Sequence, residues 1–191
     1  DVIGTLASQA EEKGLDVLIV TGDLDALQLV SPQVSVLVTR RGIKELERFG
    51  PEGVRARLGV DPAGVVDLKA LTGDTSDNIP GVPGIGEKTA ARLLAEYGSL
   101  DRLLDARETV AGKVGEALRA HAEQARLSRE LARIDRRVPV SLEWEKARWT
   151  GPDRAALAAL YRRLEFRRLL NDLEKERAPA DPAAPGEAGA R

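Results

Sequence analysis

The amino-acid sequence predicts an α/β domain followed by a subdomain of helices. A helical pattern at residues 2–12 precedes the run Val17-Leu18-Ile19-Val20, and a continuous apolar run of this length is typical of a buried parallel strand. The alternating residues Val34, Val36 and Val38 predict a second strand. Helix, strand, loop, helical turn and strand in this order indicate an α/β domain.

Helical spacing dominates the rest of the chain. A tight turn at Arg40-Arg41-Gly42 is expected to lead from the second strand into a hairpin partner. Asp61-Pro62 predicts the start of a helix, and residues 110–134 predict one or two amphipathic helices. Residues 138–142 are interpreted as an edge strand, and Pro152 predicts the start of another helix.

The composition excludes several kinds of protein. The 191 residues include no Cys and one His, which excludes a disulfide framework and a metal site built on Cys or several His. Any bound metal must therefore be held mainly by carboxylates. No stretch approaches the roughly 18 apolar residues of a membrane span, and no signal peptide is visible. We therefore expect a cytoplasmic protein with no membrane partner.

Two pairs of aspartates lie where predicted elements end. Asp23 and Asp25 follow the first predicted strand, and Asp74 and Asp77 follow the helix that begins near residue 62. Ligands of open α/β sheets bind beyond the carboxyl ends of the strands. Clustered carboxylates repel one another unless cations neutralise them. Each pair alone is readily explained as a turn or cap, so a metal site and a structural role both remain open at this point.

A glycine-rich turn directly follows the second pair. Residues 79–90 read IPGVPGIGEKTA, in which Gly81, Gly84 and Gly86 permit a tight turn and close approach to a ligand. The N–H groups of this turn and of the next helix favour a phosphate, and Lys88 adds positive charge. The spacing does not fit a P-loop. It is typical of a helix–hairpin–helix element, which binds a DNA backbone without reading sequence, although an ordinary helix connection is the alternative.

Residues 72–90, TGDTSDNIPGVPGIGEKTA, resemble the signature of the 5′-nuclease (flap endonuclease-like) family, in particular the N-terminal 5′→3′ exonuclease domains of bacterial DNA polymerases. Residues 21–29 resemble the other metal-binding loop of this family, and residues 1–7 resemble the stretch after its Glu-x-Asp-Asp motif. The three matches follow the order found in the family, and the similarity extends over residues 1 to about 175.

The resemblance implies a fold and a division into domains. The fold would be a partial Rossmann-like (PIN-like) sheet flanked by helices, followed by a helical subdomain that contains the helix–hairpin–helix. The expected boundaries are residues 1–78 for the metal-binding core, 79–177 for the DNA-binding helices and 178–191 for a linker. The Pro- and Ala-rich composition of this last segment is typical of a flexible linker.

The resemblance also implies an activity and its residues. The expected activity is that of a structure-selective 5′→3′ exonuclease and flap endonuclease, which hydrolyses DNA by metal-assisted water attack during primer removal and repair. The cofactor would be Mg²⁺ or Mn²⁺, as two ions, with a potassium ion at the hairpin. The implied catalytic and metal-binding residues are Asp23, Asp25, Asp74 and Asp77, with Asp1 as a further metal ligand. The implied DNA-binding residues are Gly81, Gly84, Ile85, Gly86, Lys88 and Thr89.

The expected partners follow from the same resemblance. They are duplex DNA with a 5′ flap or a nick and a covalently linked downstream polymerase-type domain, in a monomeric bacterial protein. The chain contains no Met, so we expect it to be a segment of a longer protein. The first strand of the family, another Asp and the helical arch would then precede Asp1, and the segment alone is expected to have little or no activity.

The charge distribution agrees with this hypothesis. Residues 1–80 carry 8 basic and 13 acidic side chains, whereas residues 81–191 carry 21 basic and 18 acidic ones. An acidic metal pocket beside a mildly basic surface suits a DNA nuclease, although the net charge of the chain is only −2.

Two alternatives stay open. In a haloacid-dehalogenase-type phosphatase, Asp23-Leu24-Asp25 would be the nucleophile loop and residues 73–77 a second acidic motif. Few residues separate these two motifs, however, and the glycine hairpin would have no role. In a non-catalytic DNA-binding module, the hairpin would bind DNA and the acidic loops would be structural, but four aspartates in two loops count against that alternative.

Overall fold

The computed structural model describes residues 1–39 and 46–175. The chain divides into two units between Ser141 and Leu142, and each unit is described separately. The strands are β1 (Val17–Thr21), β2 (Val34–Thr39) and β3 (Leu46–Phe49). The α-helices are α1 (Val2–Glu12), α2 (Pro51–Leu58), α3 (Val65–Thr72), α4 (Glu87–Tyr97), α5 (Leu100–Asp105), α6 (Gly112–Ala120), α7 (Ala122–Ala132), α8 (Arg154–Arg163) and α9 (Arg167–Lys175). Short 3₁₀-helices cover Leu24–Leu29 and Pro62–Gly64.

The sheet has the strand order β1-β2-β3. Strand β2 is central, parallel to β1 and antiparallel to β3. Its three valines are buried and alternate with half-buried residues, as the period of a strand requires. The predicted α/β class and both predicted strands are confirmed. The predicted turn at Arg40-Arg41-Gly42 lies outside the described residues.

Strand β1 differs from the expectation of a buried strand. Only Ile19 among its residues is buried, while Leu18 and Val20 are 49% and 60% exposed. A continuous apolar run is typical of a strand that other elements cover on both faces. Within the described residues, β1 is an edge strand that pairs with β2 alone.

A short crossover connects β1 to β2 and carries the first pair of aspartates. It consists mainly of the 3₁₀-helix Leu24–Leu29, which is held against the end of α7 by the buried side chain of Gln28. Its amide donates to the carbonyl of Ala132 at 2.9 Å, and its side-chain oxygen accepts from the N–H of Ile134 at 3.0 Å. This amide therefore fixes the loop at the carboxyl end of β1.

The helix–hairpin–helix element is built from α3, the glycine turn and α4. Helix α3 packs against α4 and α7, and the leucines of the following helices complete this part of the core. Each fully buried leucine contributes roughly 1.5–3 kcal/mol. The fully or almost fully buried leucines of these helices are Leu68, Leu71, Leu93, Leu100, Leu103, Leu104 and Leu118.

Close backbone packing joins the acidic loop to the hairpin. Asp74 and Ile79 form an isolated antiparallel bridge, with both N–H···O distances at 2.8 Å. The N–H of Gly81 donates to the hydroxyl of Ser128 at 3.2 Å, and its carbonyl accepts from the amide of Gln124 at 2.6 Å. Helix α7 therefore holds the start of the hairpin in place.

The segment after α7 is not the predicted edge strand. Residues 138–141 form no ladder with any strand of the described chain. Pro139 has no N–H to donate, and the N–H of Val140 bonds back to the carbonyl of Val138 at 2.7 Å, which turns the chain. The carbonyl of Val140 instead accepts from the side chain of Gln9 at 2.8 Å.

The unit Leu142–Arg191 contains α8 and α9, which pack against each other. Asp153 caps α8 by accepting the N–H of Ala156 at 2.9 Å, one residue after the predicted start at Pro152. The predicted linker 178–191 lies outside the described residues, and the predicted boundary between residues 78 and 79 stays a prediction. Within the described ranges, no helix combines the length and apolarity needed to cross a membrane.

Gly81 and Gly84 offer a matched test of the close packing, because both have positive φ, 61° and 82°. A Cβ at Gly81 would lie 2.2 Å from the backbone N of Gly73, whereas one at Gly84 would meet no described atom within 4 Å. We expect Gly84→Ala to cost only the left-handed strain of about 1–2 kcal/mol. Gly81→Ala should cost roughly 1–3 kcal/mol more in the free energy of unfolding, measured by urea denaturation. Equal losses would contradict the packing argument.

Candidate metal centre and hairpin

Three carboxylates from two segments meet in the first unit. Asp25 lies in the first turn of the 3₁₀-helix after β1, and Asp74 and Asp77 lie in the loop after α3. One ligand oxygen from each lies within 4.8 Å of the other two. Asp25 and Asp74 are half-buried and Asp77 is exposed. The structure thus brings both predicted pairs together through three of their four members.

The loop that carries Asp74 is held by its own side chain. One carboxylate oxygen of Asp74 accepts the N–H of Ser76 at 2.9 Å and also the hydroxyl of Ser76. Its backbone pairs with Ile79 on the other side of the loop. Asn78, which precedes Ile79 in the loop, has a φ of 56°, a conformation that Asn tolerates better than most residues. The loop therefore closes tightly and directs Asp77 outward.

Lys69 on α3 reaches into the carboxylate group. Its ammonium donates to Asp74 at 2.6 Å and contacts Asp25. The hydrogen bond from Lys69, followed by the hydroxyl hydrogen bond from Ser76, holds the pKa of the Asp74 carboxyl well below its usual range. Asp74 is therefore ionised at every physiological pH.

Asp23 and Asp1 lie beside this group but outside it. The carboxylate of Asp23 caps the 3₁₀-helix by accepting the N–H of Asp25 at 2.9 Å. The carboxylate of Asp1 accepts the N–H of Asp135 at 2.8 Å. Both side chains line a smaller cavity of about 210 Å³, which Asp25 also lines. Their roles as metal ligands stay predictions.

An open cleft of about 650 Å³ connects the acidic group with the hairpin. Asp23, Asp25 and Asp74 line one part of it, and Gly86 and Glu87, where α4 begins, line another. A ligand in this cleft can therefore contact the carboxylates and the start of α4 at the same time.

The donor set suits a hard divalent cation. The group offers carboxylate oxygens only, which are the ligands that Mg²⁺ and Mn²⁺ prefer. Mg²⁺ keeps several of its waters and needs only one or two protein carboxylates, so three sparse aspartates fit its demands. Asp25, Asp74 and Asp77 are the residues that would hold it.

The predicted hairpin residues fall into two groups. Gly84, Gly86 and Lys88 are exposed and Thr89 is half-buried, so their groups are accessible from solvent. Gly81 and Ile85 are buried. Both backbone polar groups of Gly81 are already bonded to α7. Neither residue presents a free surface, and their predicted contact with DNA stays a prediction.

The exposed tip of the hairpin has an accessible backbone. A Cβ at Gly84 or Gly86 would meet no atom of the described chain within 4 Å. Gly86 occupies the N-cap position of α4 and has no side chain to bond the first N–H groups of that helix. Lys88 lies in the same first turn. The tip thus combines free N–H donors, the positive end of a helix and a cation, which together favour a phosphate.

Sequence reasoning missed three residues of this site. They are Lys69, which neutralises the carboxylates, and Ser128 and Gln124, which hold the hairpin. The signal for Lys69 was a lysine in the last turn of a helix that leads directly into an acidic loop. Ser128 and Gln124 lie more than 40 residues after Gly81, and no local pattern indicates their contact.

These features define an α/β domain with an acidic cleft joined to a helix–hairpin–helix element. Residues 1–59 match the model of the 5′-3′ exonuclease N-terminal resolvase-like domain, and residues 60–155 match that of the 5′-3′ exonuclease C-terminal SAM fold. The chain belongs to the 5′-3′ exonuclease family. The predicted resemblance is confirmed, and the phosphatase alternative is excluded.

The chain is similar to part of bacterial DNA polymerases of type I. It is 50% identical over 185 residues to DNA polymerase I of Mycobacterium leprae, which covers 97% of this chain and 20% of that protein. It is 46% identical over 175 residues to DNA polymerase I of Bacillus caldotenax, covering 91% of this chain and 20% of that protein. The chain spans about a fifth of the length of these relatives.

Solved structures share the fold. A T5 5′-exonuclease with bound zinc superposes with a TM-score of 0.59 at 24% identity, over 68% of this chain and 48% of that one. The catalytic core of Rad2 in complex with DNA substrate superposes with a TM-score of 0.53 at 18% identity, over 89% of this chain and 60% of that one. The predicted combination of α/β core and helical subdomain is confirmed.

The low pKa of Asp74 predicts a pH dependence of stability. An Asp in an unfolded chain has a pKa of about 3.9, whereas the pKa of folded Asp74 is well below this. As the pH falls below about 3.9, the unfolded chain takes up a proton at this residue and the folded chain does not. The free energy of unfolding therefore decreases as the pH falls. With a metal chelator present, we expect the unfolding free energy of Asp74→Asn to decline less steeply below about pH 4 than that of the wild type. Lys69→Met, which removes the main cause of the shift, should flatten it as well. A wild-type decline in Asp74→Asn would contradict the assignment.

Proposed function

We propose that this chain provides the metal-binding and DNA-binding parts of a structure-selective 5′→3′ exonuclease and flap endonuclease. The substrate is duplex DNA with a 5′ flap or a nick, cleaved during primer removal and repair. The observation that carries the proposal is the convergence of Asp25, Asp74 and Asp77, of which Asp25 and Asp74 line a cleft that also reaches the start of α4.

The proposed metal is Mg²⁺ or Mn²⁺, as two ions. When bound, such ions activate a water molecule and stabilise the leaving oxygen of a phosphodiester. Asp25, Asp74 and Asp77 hold the ions, and Asp23 and Asp1 are candidate ligands, directly or through water. Asp74 contributes a permanent negative charge, because its pKa is well below the usual range.

The hairpin positions the DNA backbone. The exposed N–H groups of Gly84 and Gly86, the N-terminus of α4, Lys88 and Thr89 bind phosphate groups of the duplex. Such contacts carry no sequence information, which suits an enzyme that selects a DNA structure. A potassium ion at the hairpin is part of this proposal.

The relatives support a proposal about the partner and the location. We propose that a polymerase-type domain is linked covalently downstream, because the relatives are DNA polymerases and the chain matches about a fifth of their length. The protein would act as a monomer in the bacterial cytoplasm. The domain boundaries at residues 78 and 177 belong to the same proposal.

Asp77→Asn in the full-length protein that contains this chain tests the metal assignment. Asn keeps the shape of the side chain but removes the charge, so we expect release of nucleotides from a 5′-flapped duplex in Mg²⁺ to fall by about 10²-fold or more. Binding of the duplex without Mg²⁺ should be unchanged.

The matched control is Asp16→Asn, which removes an exposed carboxylate before β1 and should cleave at the wild-type rate. Undiminished cleavage by Asp77→Asn would contradict the metal assignment. Duplex binding without cleavage by the wild-type full-length protein would favour the alternative of a non-catalytic module.

Gly86→Asp and Gly86→Asn together test the hairpin. The φ of Gly86 is −91°, so neither residue strains the backbone, and both are good N-caps for α4. They differ by one negative charge. We expect the Asp variant to bind a nicked duplex about tenfold more weakly than the Asn variant at low salt, with a smaller difference at high salt. The measurement is fluorescence anisotropy over a salt series, and equal affinities at low salt would remove the hairpin from the DNA-binding surface.

A further inference from the structure

Lys69 occupies the space between carboxylates that come from different parts of the chain. Its ammonium contacts Asp25, which follows β1, and lies 2.6 Å from Asp74, which follows α3. The side chains of Lys69, Asp25 and Asp74 are only 15%, 16% and 19% exposed. This shielding makes the two ion pairs stronger than those on an open surface.

Both oxygens of Asp74 are already bonded. One accepts the N–H and hydroxyl of Ser76, and the other accepts from Lys69. Ser76 belongs to the same loop as Asp74, so that contact can persist when a metal binds. The ammonium of Lys69 places a full positive charge at the Asp74 oxygen that Ser76 does not contact. This charge repels a divalent cation that approaches the same oxygen.

The length of the lysine side chain makes displacement possible. Lysine has a compact charge on a flexible four-carbon stem, and Lys69 itself lines the open cleft. Rotation of this stem would move the ammonium away from the carboxylates toward solvent without any change in α3. The carboxylates would then exchange one monovalent cation for a divalent one.

We propose that Lys69 is an internal counter-ion that holds the two acidic segments together without metal and is displaced when the divalent metal binds. The affinity for metal is then set by competition between Lys69 and the ion, and not by the aspartates alone. This inference rests on the proposed function, because it takes Asp25, Asp74 and Asp77 as the metal site.

The first experiment compares Lys69→Met with Lys13→Met. Both variants remove one positive charge, but Lys13 is an exposed residue at the end of α1. The probe is Mn²⁺, whose free concentration is followed by electron paramagnetic resonance. We expect Lys69→Met to bind Mn²⁺ about tenfold more tightly than the wild type, and Lys13→Met to bind it with wild-type affinity. Unchanged or weaker binding by folded Lys69→Met would overturn the proposal.

Asp77→Asn separates this inference from the proposed function. If the wild type binds Mn²⁺ and Asp77→Asn binds it less tightly, the metal site stands, and the Lys69→Met result alone decides the inference. If the wild type binds no Mn²⁺, or Asp77→Asn binds it equally well, the metal site and the inference fail together.

A second experiment needs no variant and so does not depend on the folding of Lys69→Met. The wild-type protein is treated briefly with an amine-acylating reagent, with and without Mg²⁺, and each lysine is quantified by mass spectrometry. We expect Mg²⁺ to raise the labelling of Lys69 several-fold, because displacement exposes its ammonium, and to leave Lys13 unchanged. Equal labelling of Lys69 in both conditions would show that the metal does not displace it.

Discussion

The two backbone hydrogen bonds between Asp74 and Ile79 connect the acidic cleft to the hairpin. They close a loop of four residues, and the chain continues directly from Ile79 into the glycine turn. The contact between Gly81 and Gly73 fixes the same junction a second time, because no side chain separates the two backbones. The orientation of Asp77 and the start of the hairpin therefore depend on one short, doubly restrained segment.

The second constraint is electrostatic. Asp25 and Asp74 approach each other only because β1, its crossover and α3 end at the same cleft, and two carboxylates there repel each other. A cation must be present for this arrangement to be stable, and Lys69 supplies one from within the chain. The same residues that make a metal site possible thus also create the need for a counter-ion when the metal is absent.

Local patterns predicted the parts of the site that are local. The turn glycines, the aspartate pairs at the ends of elements and strand β2 all follow from short-range propensity and spacing. Local patterns did not distinguish Gly81 from Gly84, because both are glycines with positive φ in one turn. Burial distinguishes them, and burial of Gly81 depends on α7, more than 40 residues later in the chain. The exposed face of β1 was missed for the same reason, since an apolar run does not say what covers it.

The junction between the acidic loop and the hairpin is rigid, and this bears on the proposed selection of a DNA substrate. Gly84 and Gly86 follow Asp77 by only seven and nine residues, and the bridge, Gly81 and the buried Ile85 restrain that interval. Under the proposed function, a backbone phosphate bound at the hairpin tip would be held at a fixed distance from the carboxylates. A nuclease built in this way would set its cleavage position by the distance from the bound duplex, and would not need to read bases. Helix α7 holds Gly81 through Ser128 and Gln124, and this contact would keep that distance constant.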